Sequence, residues 1–247
     1  MSRPVLEVRD ICIAFGGLRA VDGVSFSAAR HAITTVIGPN GAGKSTLFNM
    51  ISGALKPLEG QVLIDGVEMT GAAPERVKAA GLSRSFQITN LFFELTVAEN
   101  LRLAAQVLEP AARTLLPIRR STRARAKTEE MLERFQLAHR RDELAGNLSH
   151  GDQRRLEIAV CLASEPKILL LDEPTQGMSH QDTADTASLV RALTADVSVL
   201  LIEHDIGLVM ELSDHVVVMH QGRKLAEGPP ALVRADPEVQ AAYFGHA

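Results

Sequence analysis

The sequence predicts an α/β fold built on a largely parallel sheet, and three observations support this prediction. Apolar runs of strand length alternate with helix-forming segments after residue 166. These runs lack the polar alternation of a half-exposed sheet, which is typical of strands buried between helices. A glycine-rich loop joins an early strand to a helix, and a mostly helical segment from about residue 88 to 165 interrupts the α/β part.

The N-terminal part of the chain combines strand signals with one helix. Residues 5–15 and 21–28 are rich in β-forming side chains and flank a Gly-Gly turn, which predicts two strands. Residues 32–38 form a further β-rich run that ends in glycine. The stretch that starts at Lys44 favours a helix, and Gly53 is its expected stop. A last strand is predicted over residues 61–66.

The middle segment is predicted to be helical. Thr96 and Glu99 have the spacing of a capping box, which predicts a helix start. Pro110 and Pro117 interrupt the helical pattern, and it resumes over residues 119–135.

The C-terminal part returns to alternating helices and strands. A helix is expected over residues 152–164, with Pro166 after it, followed by the runs "ILLLD", "QDTADTASLVRALT", "VSVLLIE", "DIGLVMELSD" and "HVVVMHQG". We therefore predict one domain over residues 1–247. Its catalytic core, including the N-terminal strands, would comprise residues 1–87 and 166–247, and its helical lobe residues 88–165.

The composition limits the class of protein. The chain has 247 residues, 46% of them hydrophobic, which is enough for a sizeable core. A net charge of −4 argues against a nucleic-acid partner. Cys12 and Cys161 have no paired spacing, so we expect two buried thiols in a reducing compartment. The charged N-terminus is no signal peptide, and no apolar run approaches the roughly 20 residues of a membrane span, so we expect a cytoplasmic chain.

The stretch "GPNGAGKST" has the spacing of a phosphate-binding P-loop between a strand and a helix. Its glycines let the backbone wrap closely around phosphates, and the helix N-terminus adds N–H donors. We predict that Lys44 reaches the β- and γ-phosphates of a nucleotide and that Ser45 ligates Mg²⁺. The residues predicted to contact ATP in this loop are Gly38, Pro39, Asn40, Gly41, Ala42, Gly43, Lys44, Ser45 and Thr46.

The stretch "ILLLDEP" supplies two acids at the end of a buried strand. Ligands bind at the carboxyl ends of the strands in open α/β sheets. We predict that Asp172 holds Mg²⁺ through water. Glu173 follows directly and would orient and deprotonate a water molecule aimed at the γ-phosphate.

These motifs, together with "SRSFQ", "LSHGD" and "IEHD", resemble in order and spacing the motifs of ABC-type ATPases, and the resemblance covers essentially the whole chain. It implies a P-loop NTPase with a RecA-like core, an antiparallel β subdomain and an inserted helical lobe. It also implies that the chain binds ATP and Mg²⁺ and hydrolyses ATP.

The signature stretch, residues 148–152, resembles the family's "LSGGQ". The resemblance implies that two chains meet head to tail, so that Ser149 and Gly151 contact the ATP held by the partner. The helix that follows would point its N-terminus at the anion. A plain serine cap on that helix is compatible with the same geometry.

The resemblance assigns further roles and also shows two departures. Gln87 would contact Mg²⁺ and the attacking water, His204 would contact the γ-phosphate, and Phe15 would stack on adenine. Asp152 stands where the signature has Gln, which brings negative charge toward the triphosphate. Ser179 stands where the family has an aspartate that crosses the dimer, so communication between the two sites would differ.

Several stretches, including "NGAGKSTLFNMISG", "SRSFQITNLFFELTVAENL" and the ending "AAYFG", are similar to the ATP-binding subunit of branched-chain amino acid importers. That similarity implies two permeases, a second ATPase subunit and, indirectly, a periplasmic solute-binding protein. The chain would then lie peripherally on the cytoplasmic face of the inner membrane. Alternatives are the ATPase of a urea or amide importer, of a lipopolysaccharide exporter, or a soluble ABC ATPase without a permease.

Two surface features have open interpretations. The basic stretch over residues 113–127 is either a solvated helix face or a contact with lipid head groups or a permease loop. Phe92 and Phe93 either belong to the core or line a groove for a cytoplasmic helix of a permease.

Overall fold

A computed structural model of the chain describes residues 3–85, 91–110 and 121–244. The chain divides into two compact units. The core unit comprises Met1–Arg84, Lys167–Gln176 and Ala184–Ala247, and the lobe unit comprises Ser85–Pro166 and Gly177–Thr183.

The strands of the described residues form two sheets, both in the core unit. The strands are β1 Leu6–Phe15, β2 Leu18–Ala28, β3 Ile33–Ile37, β4 Glu59–Ile64, β5 Val67–Glu68, β6 Leu82–Arg84, β7 Ile168–Asp172, β8 Ser198–Ile202, β9 His215–His220 and β10 Arg223–Gly228. The first sheet is antiparallel, with the order β2-β1-β4-β5. The second has the order β10-β9-β3-β8-β7-β6.

The helices of the described residues separate these strands or build the lobe unit. They are α1 Lys44–Ile51, α2 Pro74–Ala79, α3 Val97–Ala105, α4 Thr122–Arg134, α5 His150–Leu162, α6 His180–Leu193, α7 Ile206–Leu212, α8 Pro230–Ala235 and α9 Pro237–Val239. A π-helical turn, Gln240–Phe244, continues α9. Within the described ranges, no helix is long and apolar enough to cross a bilayer.

The second sheet confirms the predicted parallel core. Every residue of β3, β7 and β8 is buried, as is typical of the central strands of a parallel sheet. β3 pairs in parallel with β8, and β8 pairs in parallel with β7. The carboxyl ends of these three strands therefore lie side by side at one edge of the sheet, where the predicted site residues follow them.

The antiparallel sheet confirms the predicted N-terminal strands. β1 and β2 form a hairpin across the Gly16-Gly17 turn, in which Phe15 pairs with Leu18. The buried faces of β1, β2 and β4 share one apolar cluster with α1, and Phe48 is the largest fully buried side chain there. This shared cluster fixes the start of α1 against the hairpin sheet.

The lobe unit contains the predicted capping box. The Thr96 hydroxyl accepts from the Glu99 N–H, and the Glu99 carboxylate accepts from the Thr96 N–H at 2.9 Å. α4 begins at Thr122 because the Glu109 carboxylate accepts from the N–H groups of Arg123 and Ala124. These caps satisfy N–H groups that the first turn of a helix leaves unpaired.

Some features differ from the sequence prediction. The sequence analysis gave no assignment to α2, β6 or β10. β10 runs antiparallel to β9, because Gln221 and Gly222 form a two-residue turn with positive φ at both positions. Cys12 is buried as expected, whereas Cys161 is only half-buried, and both thiols are free.

Candidate functional site

The predicted P-loop runs from the end of β3 into the start of α1. Gly43 is the N-cap residue of α1 and has a φ of +98°. A Cβ atom at Gly43 would collide with the carbonyl oxygen of Ala20 on β2, so the loop needs glycine there for space as well as for conformation. Gly41 has a φ of +79°, and a Cβ atom there would meet open space. The backbone at Gly41 is therefore exposed on the side where a ligand can approach.

Lys44 is buried at the first position of α1. Its Nζ atom donates to the carbonyl oxygens of Gly38, at 2.6 Å, and Pro39, at 3.1 Å. Burial lowers the pKa of the Lys44 ammonium, and the carboxylates of Glu173 and Asp172 oppose that shift. The Lys44 ammonium therefore interacts electrostatically with the predicted metal-binding acid, Asp172, and with the predicted catalytic base, Glu173.

Asp172 ends β7 and is buried, together with a partner that the sequence analysis did not consider. The guanidinium of Arg84, at the end of β6, lies 3.2 Å from the Asp172 carboxylate, and the two side chains are 9% and 4% exposed. Arg84 also donates to Asn49 at 2.6 Å and to Ser52 at 3.0 Å, near the end of α1. The arginine therefore connects the predicted metal-binding acid to the P-loop helix.

The oxygen ligands at this edge fit a nucleotide-bound Mg²⁺ ion. Mg²⁺ usually takes one or two protein oxygens and completes its shell with phosphate oxygens and water. The exposed Ser45 hydroxyl and the Asp172 carboxylate supply such oxygens. The exposed Gly41 backbone and the N-terminus of α1 supply the N–H donors and the positive dipole end that a polyphosphate requires.

Glu173 turns the chain sharply after β7. It has a φ of +47°, a left-handed conformation that a residue with a Cβ atom adopts at a cost of about 1–2 kcal/mol. Its N–H donates to the Ile202 carbonyl at 3.0 Å, and its own carbonyl accepts from the Gln176 N–H at 3.2 Å. Such strain persists where the surrounding structure over-determines it, and it is frequent at active sites.

His204 follows β8 and faces Glu173. Its Nδ1 atom lies 4.0 Å from the Glu173 carboxylate, and 56% of its side chain is exposed. Between the two strand ends lies Glu203, which is fully buried and contacts both Thr175 and the N–H of His204. The structure thus brings Glu173 and His204 together at the ends of β7 and β8, and the predicted P-loop follows the neighbouring strand β3.

The signature stretch lies in the lobe unit. The Ser149 hydroxyl accepts from the Asp152 N–H at 3.2 Å and donates to the Asp152 carboxylate at 3.0 Å, so Ser149 caps α5. Ser179, which stands where the family has an aspartate, makes a similar contact. Its hydroxyl donates to the Asp182 carboxylate at 2.7 Å. A Cβ atom at Gly151 would lie 3.6 Å from Asp182, so the two helix starts are neighbours.

The remaining predicted residues have different outcomes. Phe15 ends β1 and is about half exposed, which is compatible with the predicted stacking on adenine. Gln87 lies outside the described residues. Phe92 and Phe93 are 61% and 43% exposed, so of the two open alternatives the core position is wrong. Residues 121–127 of the basic stretch belong mainly to α4, and the rest lies outside the described residues.

Arg84 and Glu203 are two residues of the site that were not predicted from the sequence. Both are charged residues at the carboxyl end of a short buried strand, as Asp172 is. An acid that ends the apolar run "VSVLLIE" was therefore a usable signal for Glu203. The contacts of Arg84 depend on the pairing of β6 with β7. No local pattern in "LSRSF" predicts that pairing.

The core unit contains a P-loop, an acid pair and a histidine after adjacent strands, together with an antiparallel sheet, and the lobe unit contains a signature stretch. These features define an ATP-binding cassette. A family model described as ABC transporter matches residues 21–176. A second, described as branched-chain amino acid ATP-binding cassette transporter, matches residues 223–247. The chain belongs to the ABC transporter ATP-binding family.

Relatives of the chain cover its whole length. It is 41% identical, over 100% of both chains, to the high-affinity branched-chain amino acid transport ATP-binding protein BraF of Pseudomonas aeruginosa. It is 40% identical, again over 100% of both chains, to the corresponding LivG protein of Escherichia coli. Among solved structures, the ADP conformation of an ATP-binding cassette of an ABC transporter has a TM-score of 0.86 and 34% identity, covering 99% of this chain and 100% of that chain.

Proposed function

We propose that the chain is the ATP-binding and ATP-hydrolysing subunit of an importer for branched-chain amino acids. The observation that carries the ATPase part is the approach of His204 to Glu173, at 4.0 Å, at the ends of the adjacent strands β8 and β7. The neighbouring strand β3 leads into the P-loop and Lys44. The importer part is supported by the full-length similarity to BraF and LivG and by the match at residues 223–247.

The P-loop would hold the triphosphate of ATP through its backbone N–H groups, with Lys44 at the β- and γ-phosphates. Phe15 would stack on the adenine. Mg²⁺, held by Ser45, Asp172 and Gln87, would neutralise charge on the phosphates when bound. The assignments of Lys44, Ser45 and Asp172 rest on their residue types and on their positions after β3 and at the end of β7. Those of Phe15 and Gln87 rest on the resemblance to the family.

Hydrolysis would begin with a water molecule oriented by Glu173. The Glu173 carboxylate accepts a proton from the water, whose oxygen attacks the γ-phosphorus. The bond between that phosphorus and the β,γ-bridging oxygen breaks, and ADP leaves with the electron pair. Lys44 and His204 stabilise the charge that develops on the transferred group.

Two chains would act together, with Ser149 and Gly151 of each closing on the nucleotide of the other. The second ATPase subunit would be either another copy or a related chain. The exposed pair Phe92 and Phe93 would receive a cytoplasmic helix of the permease, which would place the subunit peripherally on the cytoplasmic face of the inner membrane. A periplasmic solute-binding protein would deliver the solute. Asp152 adds a carboxylate at the signature stretch, and its contact with Ser149 keeps that charge at the helix start.

The first test is to purify the tagged chain gently from native membranes and identify its partners. Two permeases and a second ATPase subunit would support the proposal. A homodimer without membrane proteins would contradict it and favour a non-transport ABC ATPase.

The second test is uptake of radiolabelled leucine by cells that lack the chromosomal gene. The chain should restore uptake, Lys44→Ala should not, and the surface variant Lys78→Ala is the matched control. Restored uptake of urea or an amide instead of leucine would assign the subunit to that alternative importer.

A further inference from the structure

Glu203 is a buried carboxylate that the mechanism above does not use. It follows β8 directly and is 0% exposed. Glutamate is almost never fully buried unless it is paired. The contacts of this side chain therefore indicate why it lies inside the protein.

The contacts of Glu203 join two strand ends. Its Oε1 atom accepts from the Thr175 hydroxyl at 2.7 Å and from the Thr175 N–H at 3.3 Å. Its Oε2 atom accepts from the His204 N–H at 3.2 Å. Thr175 lies two residues after Glu173, so one carboxylate holds both the turn that follows β7 and the start of the loop that follows β8.

That turn needs support, because Glu173 has the left-handed conformation described above. A strained residue keeps its conformation only when neighbouring contacts fix it. Thr175 is anchored by a charged acceptor through both its hydroxyl and its N–H group. Hydrogen bonds to an ionised acceptor are roughly twice as strong as neutral ones.

The electrostatics of Glu203 agree with this geometry. Burial raises the pKa of the Glu203 carboxyl, while the hydrogen bonds from Thr175 and His204 lower it. The three N–H and O–H donors that converge on this side chain match an acceptor-only carboxylate. A glutamine could accept from one side only and would turn its own N–H₂ group toward a donor on the other.

We propose that Glu203 is a positioning residue that ties the turn after Glu173 to His204 and so aligns both groups for ATP hydrolysis. This inference rests on the proposed function. It adds a residue to the reaction without adding a contact to the nucleotide.

The test compares Glu203→Gln with the wild type in ATP binding and in single-turnover hydrolysis by the full chain. We expect hydrolysis to slow by roughly 10- to 100-fold with ATP affinity unchanged, because a charge-assisted hydrogen bond is lost away from the phosphates. Thr175→Val should slow hydrolysis in the same direction, and Thr175→Ser should restore it. Thr128→Val removes a buried hydroxyl that donates to Ala124 in the lobe unit, and this control should leave the rate unchanged.

Two further readouts separate positioning from a general loss of structure. In a His204→Ala background, Glu203→Gln should slow hydrolysis less than it does in the wild type. The His204 imidazole, one of the two groups that Glu203 is proposed to align, is absent there. Amide hydrogen exchange at Thr175 and His204 should accelerate in Glu203→Gln. Wild-type hydrolysis rates, or unchanged exchange at both amides, would overturn the proposal. A wild-type chain that binds and hydrolyses no ATP would instead overturn the proposed function, and amide exchange would still decide whether Glu203 joins the two strand ends.

Discussion

The Nζ atom of Lys44 lies 2.6 Å from the carbonyl oxygen of Gly38, so the P-loop lysine donates into the loop that carries it. The acceptor is a neutral carbonyl, whereas a phosphate oxygen is charged and accepts a stronger hydrogen bond. We therefore expect the Lys44 ammonium to exchange a loop carbonyl for a phosphate oxygen when a nucleotide binds.

Removing this ammonium should abolish nucleotide binding. Lys44→Ala deletes the cation that we propose contacts the phosphates, and it removes the positive charge that interacts with the carboxylates of Asp172 and Glu173. Calorimetric titration with ATP and with ADP should detect no binding. Lys78→Ala, on the exposed face of α2, is the charge-matched control and should bind as the wild type does. Unaltered affinity in Lys44→Ala would contradict the assignment of the P-loop.

Two glycines of the P-loop should respond differently to alanine. Gly43→Ala forces a Cβ atom into the Ala20 carbonyl and should prevent stable folding of the core unit. Gly41→Ala meets open space and should cost only about 1 kcal/mol of backbone strain. It should still weaken ATP binding, because its methyl group occupies the approach to the backbone. Thermal unfolding of both variants tests the difference in stability, and nucleotide titration tests the weaker ATP binding of Gly41→Ala. Equal thermal stabilities of the two variants would contradict the prediction.

The pair of Arg84 and Asp172 should contribute to stability far more than a surface pair. Both side chains are nearly buried, so Arg84→Ala leaves a buried carboxylate without this partner. We expect a loss of about 3 kcal/mol in the free energy of unfolding. Arg9→Ala breaks an exposed pair with Glu7 and should cost about 0–1 kcal/mol. Denaturant unfolding measures both, and a similar loss in the two variants would show that burial does not set the value.

The raised pKa of Glu203 gives stability a predictable pH dependence. The ordinary value for glutamate is 4.5, and burial raises the pKa in the folded protein. Above pH 4.5 the unfolded chain therefore releases this proton before the folded protein does, so stability falls as pH rises through the folded pKa. The His204 imidazole lies 3.8 Å from the Glu203 carboxylate, and the Thr175 hydroxyl donates to that carboxylate from the turn after β7. Thermal unfolding of the wild type and of Glu203→Gln should be compared as pH rises from 4.5 through the folded pKa. The stability of the wild type relative to the variant should fall over this pH range, and a rise in that relative stability would contradict the prediction.

The part of the site that the sequence predicts is the part encoded by adjacent residues. The P-loop is one continuous stretch between β3 and α1, and Asp172 and Glu173 end one apolar run, so both could be predicted from local patterns. The partnership of Arg84 with Asp172 depends on which strand lies beside β7. The link through Glu203 depends on the turn that brings Thr175 back toward β8. Long-range pairing decides such contacts, and a single sequence does not contain it explicitly.

The fold shows the same division. Apolar runs without polar alternation correctly predicted the parallel sheet. A strand that is buried on both faces has no polar face, so its sequence does not alternate. β10 was missed because its exposed and half-exposed residues carry no apolar pattern. The Gln221-Gly222 turn before it was a hairpin signal that could have been used.

The account depends most directly on Glu173, because ATP hydrolysis is assigned to its carboxylate. Single-turnover hydrolysis and ATP binding should be measured for Glu173→Gln, with Glu165→Gln as the control, since Glu165 also has a positive φ but lies in the lobe unit. We predict that Glu173→Gln binds ATP and hydrolyses it roughly 10²–10⁴-fold more slowly, as expected for the loss of a general base. The control should hydrolyse ATP as the wild type does. Near-normal hydrolysis by Glu173→Gln would contradict the assignment of the catalytic base.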